Sequence, residues 1–248
     1  MKTSNKLIFA ALLLLLATLA WYDCLLKAAY VSGKYKDPYS GFVSLKNTGF
    51  DTVDVVSSTA ANVKFTQGPF NVKIDSNSLG YVRIRQTGKR LQVNAVFEGD
   101  YRSTPSPYLL LISCPKLSAV NADATYSSNG KLVTDTIVRD DWRMRQVLID
   151  GFKQDSLQIS QDYGSTVVLA NNHIGTVSAQ AGKSAGSGSK LVIMEGNQFQ
   201  SANIDVFNNS RLLLNNSLIT NLNYHLADSA KVIITGKAQN LLNHQKSN

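Results

Sequence analysis

The chain has 248 residues, enough to bury a sizeable core in one folded unit with appendages. Its 25 basic and 17 acidic residues leave a net charge of +8, spread as 5 against 2 over residues 1–40, 13 against 10 over 41–150 and 7 against 5 over 151–248. A nucleic-acid binder gathers positive charge into a stripe that neutralises phosphates, so this thin spread argues against nucleic acid as a partner. With only 5 prolines, the Ser- and Asn-rich sequence points to many turns rather than a disordered tail.

The N-terminus "MKTSNKLIFAALLLLLATLAWYDCLLKAAY" puts Lys2 and Lys6 ahead of an apolar run from Leu7 to Tyr22. Two fates share that layout. A secretory signal has the same basic start and apolar middle, and Thr18-Leu19-Ala20 is the nearest small-x-small cleavage pattern. An uncleaved anchor fits better. If Asp23 is tolerated near the interface, the segment continues through Cys24, Leu25 and Leu26, and about 20 apolar residues cross a hydrocarbon core of roughly 30 Å. Trp21 and Tyr22 then sit at the interface and the N-terminal lysines on the cytoplasmic side, which leaves the rest extracytoplasmic, periplasmic or at the cell surface. Asp23 stands before Cys24 where a lipoprotein signal has a small residue, which argues against lipidation there. Residues 27–40, "KAAYVSGKYKDPYS", read as a polar connection. The expected organisation is a signal anchor or transmembrane helix over 1–26, a spacer over 27–41, a β-domain over 42–240 and a polar tail over 241–248.

From Phe42 onward, alternation and β-branched runs dominate and no helical stripe stands out. "VRIRQTGKRLQV" reads as a hairpin, with Val82 and Ile84 facing one way, Arg83 and Arg85 the other, and Gly88 in the turn. Arg83, Arg85, Lys89 and Arg90 make a small basic cluster that fits the solvent face of such a hairpin. Cys24 and Cys114 are the only cysteines and lie in no metal-ligand spacing. A bridge would join a membrane segment to a core strand, so both are expected as free thiols.

The second half repeats itself. "STVVLANNHI" at 165–174 and "SRLLLNNSLI" at 210–219 superpose Ser165 on Ser210, Leu169 on Leu214, Asn171 on Asn216 and Ile174 on Ile219. Looser copies lie between and after them, each a short strand, a polar turn, a stronger apolar strand and another turn. The stronger strands are Val167–Leu169, Leu191–Ile193, Leu212–Leu214 and Val232–Ile234. Their starts recur with a period of roughly 20–25 residues, which implies a solenoid, because one coil cannot bury its own apolar face and a stack can. The fold class expected is all-β, a right-handed β-helix or β-solenoid-like stack of short strands after one N-terminal helix. Asn171, Asn197 and Asn216 fall in or near one corner, where stacked asparagines can bond between coils. "AGKSAGSGS" is expected as a flexible surface bulge on one coil.

On three features the chain resembles the auto-transporter adhesin, head GIN domain, family of bacterial envelope proteins. They are the opening "FDTVDVVSSTAANVKFTQGPFNVKI" with its Gln67-Gly68 turn, the passage "YLLLISCPKLSAVNADATYSS" with Pro115 and Leu117, and the coils after residue 155. The resemblance covers about residues 42–240 and implies a solenoid architecture and an adhesin-like role. The chain departs from the family in using Asn, Asp and Ala where the family has Ser-Gly pairs, and it lacks a Gly-Ile-Asn triplet.

A β-solenoid can also carry a polysaccharide lyase or hydrolase, which needs two carboxylates facing each other across the bond, or acidic residues clustered about a cation with a Lys or Arg base. Here Asp155, Asp162, Glu195, Asp205 and Asp228 scatter. At the offset that superposes Ser165 on Ser210, Asp162 falls on Phe207 and Asp205 on Ser160. The histidines His173, His225 and His244 share no spacing, and "GKSAGSGSK" lacks P-loop spacing. No catalytic residue, metal site or cofactor is expected. The densest charged stretch, "VRDDWRMRQ", places Arg139, Asp141 and Arg143 around Trp142, residue types that stack on and hydrogen-bond a sugar ring. A self-neutralising solvated loop gives the same sequence. The function expected is a non-catalytic, membrane-anchored envelope protein that binds glycan or protein or serves structurally, with a carbohydrate-active enzyme as the alternative.

Overall fold

Thr3–Ser32, 30 residues without a proline, form one helix, α1, about 45 Å long at 1.5 Å per residue. It is long and apolar enough to cross a membrane, and none of its side chains is buried. It runs past Leu26 to Ser32, so the stretch expected as a polar connection begins as helix. It stops at Gly33, whose left-handed φ of +66° turns the N–H onto the Tyr30 carbonyl at 3.1 Å. The computed structural model describes residues 3–33, 36–99, 107–137, 145–227 and 229–240. The chain divides into two units, Met1–Phe42, which carries α1, and Val43–Asn248, which carries the β-structure.

Alternating sequences such as "TVDV" and "NVKID" fold as strands with one face buried. One sheet contains β1 (Phe42–Leu45), β3 (Val63–Gln67), β4 (Asn71–Asp75), β7 (Leu110–Cys114), β11 (Val147–Asp150), β13 (Thr166–Ala170), β15 (Lys190–Ile193), β17 (Arg211–Asn215) and β19 (Lys231–Thr235). Its order is β1-β4-β7-β3-β11-β13-β15-β17-β19. The other contains β2 (Thr52–Val55), β5 (Val82–Thr87), β6 (Arg90–Phe97), β8 (Ala119–Ala122), β9 (Thr125–Ser128), β10 (Lys131–Thr134), β12 (Lys153–Gln161), β14 (His173–Ala181), β16 (Gln198–Val206) and β18 (Leu218–Leu226). Its order is β10-β9-β6-β2-β8-β12-β14-β16-β18, with β5 beside β6. Inward side chains of both sheets, among them Phe65, Ile112, Leu157, Val177, Leu191 and Leu212, meet in one continuous core.

From β11 onward successive strands enter alternate sheets, and from β13 each runs parallel to the strand two before it. Val167 pairs with Leu191, Leu191 with Leu212 and Leu212 with Val232, so the first residues of the four strong apolar runs read in the sequence stand side by side. Two features differ from the expected uniform stack. The sheets are mixed, because β4 runs antiparallel to β7, β5 to β6 and β9 to β10. The strands that read as the weaker ones are the longer ones: β12, β14, β16 and β18 each have 9 residues against 4 or 5 for β13, β15, β17 and β19. Their outward polar residues dilute the apolar signal, whereas the short strands read as plain apolar runs.

β11, β13, β15, β17 and β19 are each followed by a left-handed residue at one corner. Gly151, Asn171, Gly196, Asn216 and Gly236 have φ of +79°, +55°, +80°, +50° and +61°. A Cβ on Gly196 would run into Oδ1 of Asn171, and one on Gly236 into Oδ1 of Asn216, so glycine follows each asparagine in the column. The next column inward is Phe152, Asn172, Asn197 and Ser217, all buried. Oδ1 of Asn197 accepts from the backbone N–H and Nδ2 of Asn172, both at 3.0 Å, and its Nδ2 donates to the carbonyls of Leu169 and Met194, both at 2.7 Å. Asn171 and Asn216 therefore share a corner position, and Asn197 belongs to the neighbouring column with Asn172.

The expected surface bulge after Ala181 is tied down instead. Ser187 and Ser189 are fully buried, the Ser189 and Ser210 hydroxyls bond at 3.1 Å, and Asn208 Nδ2 donates to the carbonyls of Gly182 and Ser184. Small residues let this longer turn fold back into its corner. Cys24 is an exposed and Cys114 a buried free thiol; burial first, and the charge of Asp51 second, push the Cys114 thiol up to about 12.

Candidate functional site: a polar sheet face and its groove

In a regular strand the residues at i and i+2 share a face. β14 breaks that rule: Ile174 and Val177 are both buried, with Gly175 and Thr176 between them. β16 does the same with Phe199 and Ala202. The ladder also skips a rung there, Gln154 pairing with Ile174 and then Ser156 with Thr176. The strands bend together at this level. A Cβ on Gly175 would sit 2.6 Å from the Asp155 carbonyl oxygen, so the close backbone approach at the bend requires glycine.

The bend opens a groove of about 740 Å³ on the outward side of β12, β14, β16 and β18. Lys153, Asp155, His173, Gln198, Gln200 and Thr220 line it over Ile174, Gly175 and Phe199, with Leu218 at its end. Beyond the bend a second, smaller concavity of about 390 Å³ lies along the sheet. Here register stacks polar side chains in rows across the strands. One row is Gln158, Ser178, Asn203 and Asn223, and the other is Asn121, Ser160, Gln180, Asp205 and His225. Rungs repeat at the strand spacing of about 4.8 Å. Asn223 Nδ2 donates to Asn203 Oδ1 at 3.1 Å, so neighbouring carboxamides already bond along the row.

Charge on this face is locally balanced. Arg90 Nη1 lies 2.6 and 2.8 Å from the Asp54 carboxylate oxygens, and Asn121 Nδ2 donates to Asp54 Oδ1 at 2.6 Å. The hydrogen bond to Asp54, then the charge of Asp54, raise the Arg90 pKa and hold its guanidinium protonated. Arg90 thereby leaves the basic cluster read in the hairpin, and Arg83 turns its guanidinium onto the Leu79 carbonyl at 3.1 Å. In the described ladders no carboxylate pairs with another on a neighbouring strand: Asp54 stands beside Gln92 and Asn121, and Asp205 beside Gln180 and His225. Asp162 is engaged by the backbone, accepting from Tyr163 N–H at 2.9 Å and Ser184 N–H at 3.1 Å.

Trp142, Arg139, Asp141 and Arg143 lie outside the described residues. On their C-terminal side Arg145 Nη1 donates to Asp135 Oδ2 at 2.6 Å. Among the described residues no group of three or more His, Cys, Asp and Glu side chains could hold a metal. His173 stands on the groove wall, and the His225 ring meets Phe207 edge-on at 6.3 Å. The groove residues Lys153, Gln198 and Gln200 escaped the sequence reading because each looks like ordinary surface, and Asp155 entered it only as one of the scattered carboxylates. The available signal was the coil-to-coil offset, which brings Lys153 onto His173 and His173 onto Gln198.

No protein-family model matches the chain, and no curated protein matches it. Among solved structures the chain is similar to a candidate adhesin of Bacteroides fragilis NCTC 9343, with 12% identity and a TM-score of 0.40 over 77% of this chain and 96% of that one. It is also similar to a candidate lipid binding protein of Parabacteroides distasonis ATCC 8503, with 12% identity and a TM-score of 0.30 over 79% of this chain and 94% of that one. A candidate adhesin of Parabacteroides merdae ATCC 43184 matches with 11% identity and a TM-score of 0.29 over 79% and 95%.

Proposed function

We propose that this chain is a non-catalytic binding protein of the bacterial envelope, anchored by α1, whose coils form a β-solenoid over residues 42–240 and whose outward polar face holds an extended glycan. The observation that carries the reading is the pair of in-register polar rows beside the groove. Carboxamides donate and accept at once, as sugar hydroxyls do, and one rung per coil is close to the length of one pyranose in an extended polymer. Balanced charge suits a neutral chain better than a polyanion. Strand alternation from β11 to β19 supports the solenoid, and the length and apolarity of α1 support the anchor. Trp142 with Arg139, Asp141 and Arg143 remains a second proposed contact for the same ligand.

The test is retention of the full-length protein, in nanodiscs, on immobilised envelope polysaccharides. Gln198→Ala with Gln200→Ala is expected to weaken retention about tenfold or more, through loss of two amides worth roughly 1 kcal/mol each, with the melting temperature unchanged. Release of reducing or unsaturated ends from the polysaccharide would overturn the non-catalytic reading. Retention insensitive to the groove but abolished by Trp142→Ala would move the site to residues 138–146. Protease treatment of intact and ruptured cells tests placement: digestion before rupture means surface exposure, and protection until rupture means the envelope interior.

A further inference from the structure

We propose that the β5–β6 hairpin and the loop after β1 form a cationic docking surface for the anionic lipid headgroups of the membrane that α1 enters. This rests on the reading of α1 as an anchor and is independent of the glycan reading.

The two pieces are bonded together. Asn47 Nδ2 donates to Gln86 Oε1 at 3.2 Å, and Gln86 Nε2 donates to the Thr48 carbonyl at 2.7 Å. The Asp51 N–H donates to the Lys89 carbonyl at 3.0 Å, which pins the hairpin turn to the same loop. Lys46, Arg85 and Lys89 are exposed, and none forms an ion pair among the described residues. Arg83, turned onto the Leu79 carbonyl, is a fourth exposed cation, while Arg90 is matched by Asp54. Residues 42–50 and 81–92 hold these basic residues and no acidic one.

Charge on an edge strand also guards it against pairing, and among the described residues β5 is bonded to β6 alone. Guarding accepts either sign of charge and needs it on the strand. Here the sign is uniform, and Lys46 and Lys89 lie off the strands, one in the loop after β1 and one in the turn. The same sign continues back toward α1, where residues 27–41 carry Lys27, Lys34 and Lys36 against Asp37 alone. The groove, by contrast, has both Lys153 and Asp155 on its lining.

Chain length brings a bilayer within reach of this patch. Phe42, which opens β1, comes ten residues after Ser32, which ends α1. A fully extended chain of that length spans at most about 35 Å. An anionic bilayer surface favours each nearby Lys or Arg by about fivefold, and the attraction fades within a Debye length, about 8 Å at physiological salt. Three unpaired cations on one surface are therefore worth about a hundredfold in docked over undocked protein.

The experiment places the full-length Cys24→Ser protein in nanodiscs of phosphatidylcholine alone or mixed equally with phosphatidylglycerol. Cys114 is buried, so a fluorophore goes onto Thr87→Cys in the hairpin, and headgroup-spin-labelled lipid quenches it on approach. Quenching should be strong in the anionic discs and should fall to the neutral-disc value in 1 M salt, where the Debye length is about 3 Å. It should fall likewise in a Lys46→Gln, Arg85→Gln, Lys89→Gln protein, with the melting temperature unchanged because all three side chains are exposed. A fluorophore on Thr220→Cys in β18, seven strand positions from β5 and so about 34 Å away, should stay unquenched. Equal quenching of the Thr87→Cys label in both discs, or quenching that survives the triple change, overturns the inference and leaves the anchor standing. So does quenching at Thr220→Cys as strong as at the hairpin, which would put another face on the bilayer. A chain released from both discs fails the anchor reading, and this inference fails with it.

Discussion

β4, β5 and β10 fold back antiparallel on β7, β6 and β9 in the N-terminal part of the two sheets, whereas β13 to β19 obey one rule, each strand parallel to the one two before. The difference lies in where each region keeps its specificity. A hairpin is set by a local turn, as at Gly88, with φ +57° and no atom within 4 Å of where a Cβ would stand. A coil is set by what lies above and below it, so its turn residues are chosen by neighbours a full coil away in sequence.

The sharpest way to break the comparison is in the shared core, where it should vanish. Phe65→Ala on β3 and Leu191→Ala on β15, both fully buried, should each cost about 3–5 kcal/mol by denaturant titration, because cavities do not distinguish hairpin from coil. Next comes Asn197→Ala, which takes the amide away from the Met194 carbonyl and the Asn172 N–H in a buried column and leaves the Leu169 carbonyl only the Met194 N–H. A loss of about 2–4 kcal/mol is expected, and a loss under about 1 kcal/mol would mean the column is not a structural element. The glycine pair sharpens the contrast directly. Gly88→Ala should cost about 1 kcal/mol, for backbone strain alone. Gly196→Ala should cost clearly more, since its Cβ also meets Asn171 Oδ1, and the double change with Asn171→Gly should return it to the Gly88 value.

The smallest effect is one of pH. Asp123, just after β8, has its pKa raised by burial first, eased by the Ala124 N–H and raised again by the charge of Asp162. Its folded form binds a proton more tightly than the unfolded chain does. Stability from this group is therefore full below the unfolded carboxylate range and declines as pH climbs through the raised value. Asp123→Asn should lift the neutral-pH melting temperature slightly and lose that advantage in acid, read by melts at several pH values. Asp150 behaves oppositely. Burial pushes its pKa up, but Asn171 and the Lys64 ammonium at 2.9 Å outweigh it and lower the net value, so its contribution is lost on acidification.

Much of the strand pattern was readable because short buried strands are plain apolar runs: Val167, Leu191, Leu212 and Val232 pair as their spacing implies. The N-terminal sheet order was not. β3 lies between β7 and β11, so Val63 meets Leu110 on one side and Val147 on the other, partners too far along the chain to leave a local trace. Asn197 was grouped with Asn171 and Asn216 through a one-residue slip. The coil between His173 and Gln198 is longer than those before and after it, so Asn171 stacks on Gly196 and Asn172 on Asn197. The groove was hidden for a different reason: it comes from a bend that puts i and i+3 on one face, and period-2 reading has no signature for that.

The corner column alternates Gly151, Asn171, Gly196, Asn216 and Gly236, and each asparagine dictates the residue stacked after it. Two asparagines in succession would put the second Cβ where the first carboxamide lies. The constraint runs one way: glycine is required after an asparagine, whereas asparagine follows glycine freely, as Asn171 follows Gly151 and Asn216 follows Gly196. The closest twins in the chain, Ser165–Ile174 and Ser210–Ile219, stand two coils apart, on the same phase of that alternation, with Phe199 on the coil between Ile174 and Ile219. The sequence likeness of these two segments therefore goes with a shared corner residue, Asn171 and Asn216, and with a shared glycine on the coil that follows each.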